Sequence, residues 1–315
     1  MLIYLIIILD ETSVSYCHYE VTKQERSLIS LEDLKAGILF GMKENLNIQF
    51  VYPDYPLPPE YDEAIDSVDH ANIMSDRFFK DADILVLTNW KEQDYTNLSK
   101  NQTCMIRSTR KELQENIECI KGILVKVSRL NIVLTDICDF SDSEISEYDN
   151  WLNGIAGELK ELFLMGKNVQ LNLLTDRVML SEMNNCNAGV NNITLAPNGK
   201  FYLCPAFYYD NPQNSVGDLL HGVDIRNKQL LKIDYAPICR HCDAFQCKRC
   251  VWMNERLTLD INTPSHQQCV IAHLERNASR RMMLDLEKDG IKLRNSHKIE
   301  EITELDPFNK VNRWK

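Results

Sequence analysis

The chain has 315 residues, of which 44% are hydrophobic, and its formal net charge at pH 7 is −11. The apolar fraction is enough for a folded core, and the length fits one large domain or two ordinary ones. The acidic balance argues against nucleic acid as a partner, because nucleic-acid-binding domains present basic patches. We therefore expect a soluble protein whose partners are not nucleic acids.

The amino-terminal apolar stretch, Met1–Leu9, is much shorter than the roughly 20 residues that a membrane span needs. It lacks the basic region and the small-residue cleavage site of a secretory signal, and it runs directly into Asp10 and Glu11. We therefore expect a cytoplasmic protein without a membrane partner. In that compartment thiols stay reduced, which bears on how the cysteines are interpreted.

In the first 175 residues, short apolar runs alternate with amphipathic segments, which is typical of parallel βα units. Strands are predicted at Ile3–Leu9, Asn47–Tyr52, Ile84–Thr88, Thr103–Ser108, Gly122–Val127, Ile132–Asp136 and Val169–Leu174. Helices are predicted at Leu31–Glu44, Arg110–Cys119 and Glu144–Met165. We interpret residues 1–180 as an incomplete, degenerate βα barrel of the α/β class, with a flavodoxin-like open sheet as the alternative.

A polar, Asn-rich turn at residues 184–192 introduces the cysteine-rich region of the chain. Beyond it, Asn198-Gly199 predicts a type I′ hairpin turn between the apolar runs Ile193–Leu195 and Phe201–Leu203. Such a hairpin would hold Cys204 at its outgoing end.

Seven of the eleven cysteines lie in the last 130 residues, and their spacing is ordered. They read Cys186-x12-Gly199-x4-Cys204, then Cys239-x2-Cys242-x4-Cys247-x2-Cys250, and finally Cys269. Cysteines two to four residues apart can bind one metal atom, and a later cysteine can complete the site. Seven thiols exceed one tetrahedral site and are one short of two complete sites. The pattern therefore predicts two metal centres, one of them with an incomplete set of protein ligands.

Two other interpretations of the cysteines have to be weighed. A pair of structural zinc sites uses the same ligand type, and spacing alone does not separate zinc from iron–sulfur clusters. A disulfide framework is disfavoured, because a reducing compartment keeps clustered thiols available as metal ligands.

The order of a cysteine, Gly-x4-Cys, a compact four-cysteine run and a lone final cysteine resembles the SPASM domain. That domain follows the barrel of many radical S-adenosylmethionine (SAM) enzymes that modify ribosomal peptides, and it binds auxiliary iron–sulfur clusters. Its usual central run is C-x2-C-x5-C-x3-C, and here the two later gaps are each one residue shorter. The segments Cys239–Asn254, Asn262–Ser265 and Cys269–Arg276 are similar to a narrower group, the CXXX repeat peptide maturases.

The resemblance implies a ligand set for each of two 4Fe–4S clusters. One set is Cys239, Cys242, Cys247 and Cys269, and the other is Cys186, Cys204 and Cys250. The second cluster would keep one iron open or bound by a further ligand. His273, four residues after Cys269, is a candidate for that ligand, although a packing role is more ordinary for a single histidine.

A radical SAM enzyme carries C-x3-C-x2-C directly after its first strand, and no such triplet occurs in this chain. Aligned with that motif, the three positions hold Ser13, Cys17 and Glu20. A cluster needs three protein thiolates if its fourth iron is to bind SAM. We therefore expect no SAM bound to this chain, and Cys17 is interpreted as either a remnant of the site or an ordinary buried thiol.

The resemblance also implies a domain order and a function. A SPASM-like domain would occupy residues 181–286, and a charged tail would occupy residues 287–315. The composition of residues 295–315 is typical of a mobile tail, although Ile299, Ile302, Leu305 and Phe308 could dock on a partner. The chain would be an iron–sulfur partner subunit in a heteromeric complex with a radical SAM maturase. It would help to bind or modify a cysteine-rich, ribosomally made precursor peptide. A zinc-stabilised peptide-binding scaffold is the alternative, and an independent oxidoreductase is disfavoured because no nucleotide-cofactor fingerprint occurs.

Overall fold

A computed structural model describes residues 2–77, 82–92, 95–293, 295–301 and 305. In chain order, the strands are β1 (Tyr4–Ile8), β2 (Asn47–Val51), β3 (His70–Ser75), β4 (Ile84–Val86), β5 (Thr103–Ser108), β6 (Arg129–Leu134), β7 (Gln170–Leu171), β8 (Asn192–Leu195), β9 (Phe201–Tyr202), β10 (Gly217–Asp218) and β11 (Gly222–Val223). The helices are α1 (Leu31–Lys43), α2 (Pro59–Ile65), α3 (Arg110–Glu115), α4 (Ile117–Lys126), α5 (Asp142–Leu164), α6 (Thr175–Met179), α7 (Pro205–Asp210), α8 (Val251–Thr258) and α9 (His266–Lys288). The chain divides into two compact units, each made of two separate segments.

The first unit comprises Met1–Thr88 and Cys186–Tyr235. Its strands lie side by side in the order β4-β3-β2-β1-β8-β9, parallel from β4 to β8, with β9 antiparallel to β8. The first four strands are therefore neighbours in sequence order. A flavodoxin-like sheet instead places its first strand between the second and the third. The parallel α/β prediction is confirmed, and closure into a partial barrel stays a prediction.

Strand β1 runs through the core of the first unit and is apolar along its length. Successive residues of β1, from Leu5 to Ile8, are all buried, as expected for a parallel strand with helices above and below. Helix α1 approaches the sheet very closely, because a Cβ added at Gly37 would lie 2.3 Å from Cδ2 of Leu195.

The second unit comprises Asn89–Asn185 and Ala236–Lys315. It contains the parallel strands β7-β6-β5, with α3 and α4 connecting β5 to β6 and α5 connecting β6 to β7. The predicted strand Gly122–Val127 is wrong, since these residues belong to α4 and its end, where Ile120, Ile123 and Leu124 are buried at helical spacing. The prediction also missed β3, whose mixed sequence gives no strong strand signal.

The predicted hairpin is present, but its turn differs from the expected type. Strands β8 and β9 pair across residues 196–200, and Ala196 N–H donates to Lys200 O at 3.0 Å. Gly199 has φ = 72°, whereas Asn198 does not lie in the left-handed region, so the turn is not type I′. Cys204 follows β9 and caps the start of α7.

The described part of the tail is packed against the second unit. Ile299 is buried, and His297 N–H donates to Val178 O at 2.8 Å. These contacts correct the expectation of a mobile segment for residues 295–301; residues 302–304 and 306–315 lie outside the described residues. Across the described part of the chain, no helix is long and apolar enough to cross a membrane.

Candidate metal centre

Four of the predicted ligands line a single cavity of about 30 Å³ in the second unit. They are Cys239, Cys242, Cys247 and Cys269, the set that the family resemblance assigns to one cluster. The remaining wall is formed by Met183, Ile238, Arg249, Pro264, Gln268, Ala272 and His273. The wall is mostly apolar; Cys239 is buried, and the other three cysteines are half-buried.

Two tight turns place the first three thiols. A single turn of 3-10 helix spans Cys239–His241, and Cys242 N–H donates to Cys239 O at 3.1 Å. A second turn forms where Cys247 N–H donates to Ala244 O at 2.9 Å. These turns bring three cysteines from one short stretch of chain to one wall of the cavity.

Helix α9 supplies the fourth thiol. Its first turn is held by a capping box: Ser265 Oγ accepts from Gln268 N–H at 3.3 Å, and Gln268 Oε1 accepts from Ser265 N–H at 2.8 Å. Cys269 follows directly, so its Sγ is positioned by the start of a 23-residue helix. The lone final cysteine therefore closes the site from a different segment, as the spacing predicts.

His273 lies on the same helix, one turn after Cys269. It is buried, and its Nε2 is 3.3 Å from Cys242 Sγ, while its Nδ1 contacts Leu305 O. The sequence interpretation offered His273 as a ligand for the incomplete set. The structure places it beside Cys242, one of the four thiols that line the cavity.

Burial disfavours the thiolate form of these cysteines unless a positive charge lies nearby. The pKa of Cys247 is raised well above its usual value, first by burial and then by the neighbouring Cys242 and Cys239 thiols. Burial also raises the pKa of Cys239, and Arg249 partly offsets this. Metal ligation requires thiolates, and a bound cation provides the missing compensation. The donor set and its surroundings therefore fit a thiolate-bound metal group.

Buried arginines lie next to this donor set. Arg276 donates through Nε to Asp243 Oδ1 at 2.7 Å and through Nη2 to Asp243 Oδ2, forming a bidentate pair. Arg177 donates through Nη2 to the same Oδ2 at 3.2 Å, and its guanidinium lies 4.5 Å from the Phe245 ring centroid. Asp243 directly follows Cys242, and all three charged groups interact electrostatically with the Cys242 thiol.

A buried carboxyl group lies further along α9. Glu275 Oε1 accepts from Tyr148 Oη at 2.9 Å, which joins α9 to α5. Burial raises the pKa of Glu275 to about 7, and the Tyr148 hydrogen bond opposes this shift. Arg276, the next residue of α9, pairs with Asp243, so two consecutive residues of this helix are buried and polar.

The second predicted ligand set is divided between the units. Cys186 and Cys204 belong to the first unit, where they flank the hairpin of β8 and β9. Cys250 belongs to the second unit, where it precedes the first residue of α8. Their shared cluster stays a prediction.

The sequence interpretation missed the surroundings of Cys17 in the first unit. Burial raises the pKa of Tyr16, and the thiols of Cys17, Cys204 and Cys186 raise it further, so all three thiols lie near this ring. The loop after β1 is held against α7 by the stacked rings of Tyr19 and Tyr209, whose centroids are 5.2 Å apart. The tyrosines that occur in both segments were the available sequence signal for this contact.

The other two positions of the SAM-cluster motif are unsuited to a cluster. Ser13 is buried, and its hydroxyl donates to Val51 O at 2.9 Å and accepts from Asp10 N–H at 3.0 Å. Glu20 is exposed. Two of the three positions therefore carry no thiol. One of them, Ser13, instead hydrogen-bonds the loop to β2.

Within the described ranges, no three His, Cys, Asp or Glu side chains are grouped so that they could hold one metal ion. The four thiols of the second unit instead surround a shared cavity.

No protein-family model matches the chain, and no curated protein matches its sequence. Solved structures do match. A histidine-tagged anSMEcpe with bound AdoMet has a TM-score of 0.59 at 14% identity, covering 92% of this chain and all of that chain. Native anSMEcpe with bound AdoMet and Cp18Cys peptide gives 0.57 at 14% identity, covering 91% and 100% of the two chains. The complex with Kp18Cys peptide gives 0.56 at 13% identity, covering 91% and 99%. The likeness shows a mixed α/β, radical SAM-like fold.

Proposed function

We propose that this chain is an iron–sulfur partner subunit of a radical SAM peptide maturase and that it holds a 4Fe–4S cluster on Cys239, Cys242, Cys247 and Cys269. The observation that carries the proposal is the cavity of the second unit, which is lined by all four thiols of the set that the motif assigns to one cluster. Four cysteines from two separate segments meet there, and thiolate is the usual ligand of iron–sulfur clusters.

When bound, such a cluster supplies one-electron transfer. The chain's own residues would hold it, surround it with a mostly apolar wall, and set the charge around it. The second cluster, on Cys186, Cys204 and Cys250, is part of the same proposal. With three protein thiolates it would leave one iron open for a further ligand, such as a thiolate of a cysteine-rich precursor peptide.

The role as a partner subunit is supported by the fold and by the loop after β1. The similar structures carry AdoMet, and two of them also carry a peptide. Here Ser13 and Glu20 replace two of the thiols that a SAM-binding cluster needs. The residues do not fit that group, so the radical chemistry would come from a second chain, and this chain would contribute peptide binding or electron transfer.

The metal content of protein purified without oxygen tests the proposal. We expect a brown protein with iron and acid-labile sulfide in equal amounts, and loss of a whole cluster's iron in Cys242→Ala or Cys269→Ala. Cys119→Ala is the matched control, since Cys119 lies on α4 and its Sγ contacts Lys91 O at 3.5 Å. A colourless protein that carries only zinc would support the zinc-stabilised scaffold instead.

A further inference from the structure

We propose that Arg177 is a positioning residue that raises the reduction potential of the cluster on Cys239, Cys242, Cys247 and Cys269. It would do so through the Arg177–Asp243–Arg276 triad, two guanidinium groups that share one carboxylate beside Cys242. The inference rests on the proposed function, because it assigns a property of the cluster proposed there.

The geometry of the triad leaves one positive charge uncompensated. Arg276 takes both oxygens of Asp243, and Arg177 shares only Oδ2, at 3.2 Å. Guanidinium groups remain charged in proteins, so two positive charges face one negative charge. Within the described residues, the Nε and Nη1 atoms of Arg177 are buried and have no hydrogen-bond partner. Its side chain is only 4% exposed, so water does not screen its charge.

Burial of a partly unpaired guanidinium is costly, and a stabilising partner is therefore expected nearby. The aromatic face of Phe245 offsets a part of this cost. Arg177 also interacts electrostatically with the Cys242 thiol. Burial raises the pKa of the Cys242 thiol and the Asp243 carboxylate raises it further, whereas Arg276 and Arg177 both act to lower it. A positive charge at this place stabilises negative charge on the sulfur ligands.

The effect on reduction follows from charge. A 4Fe–4S cluster with four thiolates is an anion, and one electron from a reductant makes it more negative without forming or breaking a bond to the protein. A nearby buried positive charge stabilises the more negative state more strongly, because the local dielectric constant is low. Arg177 would therefore make the cluster easier to reduce.

Paired substitutions of opposite charge test this proposal. Arg177→Gln should lower the midpoint potential, and Asp243→Asn should raise it, in dye-mediated titrations with dithionite followed by the EPR signal of the reduced cluster. Arg177→Lys keeps the charge and should stay close to the unsubstituted protein. Arg281→Gln is the control for net charge: Arg281 is 42% exposed and lies well beyond Cys269, about 18 Å along α9.

The outcomes separate the two proposals. If the unsubstituted protein holds no iron, the proposed function fails. If the variants keep iron and sulfide but Arg177→Gln and Asp243→Asn shift the potential in the same direction, or not at all, the role of Arg177 is overturned while the cluster stands. If Arg177→Gln loses its cluster, the other two variants test the inference. It is overturned if Asp243→Asn does not raise the midpoint potential, or if Arg177→Lys changes it.

Discussion

Cysteines differ in their roles in this chain, and the role of each depends on its burial and on the groups around it. Cys104 lies in β5, is fully buried, and has a pKa raised to about 12 by burial, as expected of a thiol that acts as a small apolar side chain. Cys242 is also shielded, but it lies with three further cysteines on one cavity and beside two guanidinium groups. Burial raises its pKa too, so its thiolate form requires a compensating cation such as a bound metal.

Substitution of these two cysteines should therefore have different consequences. Cys104→Ala should lower the free energy of unfolding by about 1 kcal/mol, because it leaves only a small cavity, and should leave the iron content unchanged. Cys242→Ala should lose iron together with the larger share of folding free energy that metal binding contributes. Anaerobic denaturation of both variants, with iron analysis, measures this. Equal loss of iron-loaded protein from both variants would contradict it.

Glu275 predicts a pH dependence of stability. Its pKa is about 7 in the folded chain and 4.5 when free, so the folded state retains a proton that the unfolded state loses. The stability that this protonated carboxyl contributes is complete below about pH 4.5 and is lost as the pH rises through 7. Glu275→Gln keeps an oxygen to accept from Tyr148 and has no such titration. The variant should gain up to about 3 kcal/mol relative to the unsubstituted chain at about pH 8.

Denaturant unfolding at about pH 5 and about pH 8, on either side of the Glu275 titration, measures this difference. Glu182→Gln is the control, since Glu182 is exposed. An unchanged pH dependence in Glu275→Gln would show that Glu275 is ionised in the folded chain.

At the scale of elements, the start of α9 connects helix stability to the metal centre. The capping box of Ser265 and Gln268 holds the turn that carries Cys269, and Gln268 also lines the cavity. Fraying of this turn would withdraw one ligand. Helix capping therefore has a direct chemical consequence here, beyond its ordinary contribution to stability.

Ser265→Ala should weaken the cap by about 1 kcal/mol and so increase the rate at which iron is lost to a chelator by about fivefold. Thr109→Ala removes the corresponding capping box of α3, a helix without cysteine, at a similar cost in stability. It should leave the rate of iron loss unchanged. Equal acceleration in both variants would mean that global unfolding, rather than fraying of α9, limits iron release.

Local patterns predicted some elements and not others. Continuous apolar runs identified β1 and β2, and the helical spacing of buried residues identified α5. Gly122–Val127 was mistaken for a strand because a short apolar run fits either structure, and only the residues before it, from Ile117, give it a helical face. The family resemblance grouped the four cysteines that line the cavity, and their binding of a cluster stays a prediction. The resemblance gave no information on Arg177, which is distant in sequence and reaches Asp243 only through the fold.

At the scale of the whole chain, a radical SAM-like fold is combined with a loop after β1 that lacks the motif of that fold. The loop is well packed: Ser13 bonds to β2, and Tyr208 Oη donates to Glu11 Oε1 at 2.9 Å. Lys23 also pairs with Glu11 at 2.7 Å. The space next to the first strand is thus occupied by side chains that bind one another. A division of labour, in which a second chain supplies the SAM chemistry, stays a proposal.

The last prediction tests this division. With reductant and SAM, the isolated chain should form no 5′-deoxyadenosine above background, because Ser13 and Glu20 cannot supply the thiolates that leave one iron free for SAM. Co-expression with a radical SAM maturase and its cysteine-rich precursor peptide should give a heteromeric complex. That complex should modify the peptide, as measured by mass spectrometry, when neither chain does so alone. Cys239→Ala should abolish the modification without preventing SAM cleavage by the partner. Robust SAM cleavage by the isolated chain that is lost in Cys17→Ala would overturn the assignment, since Cys17 would then belong to a working SAM cluster.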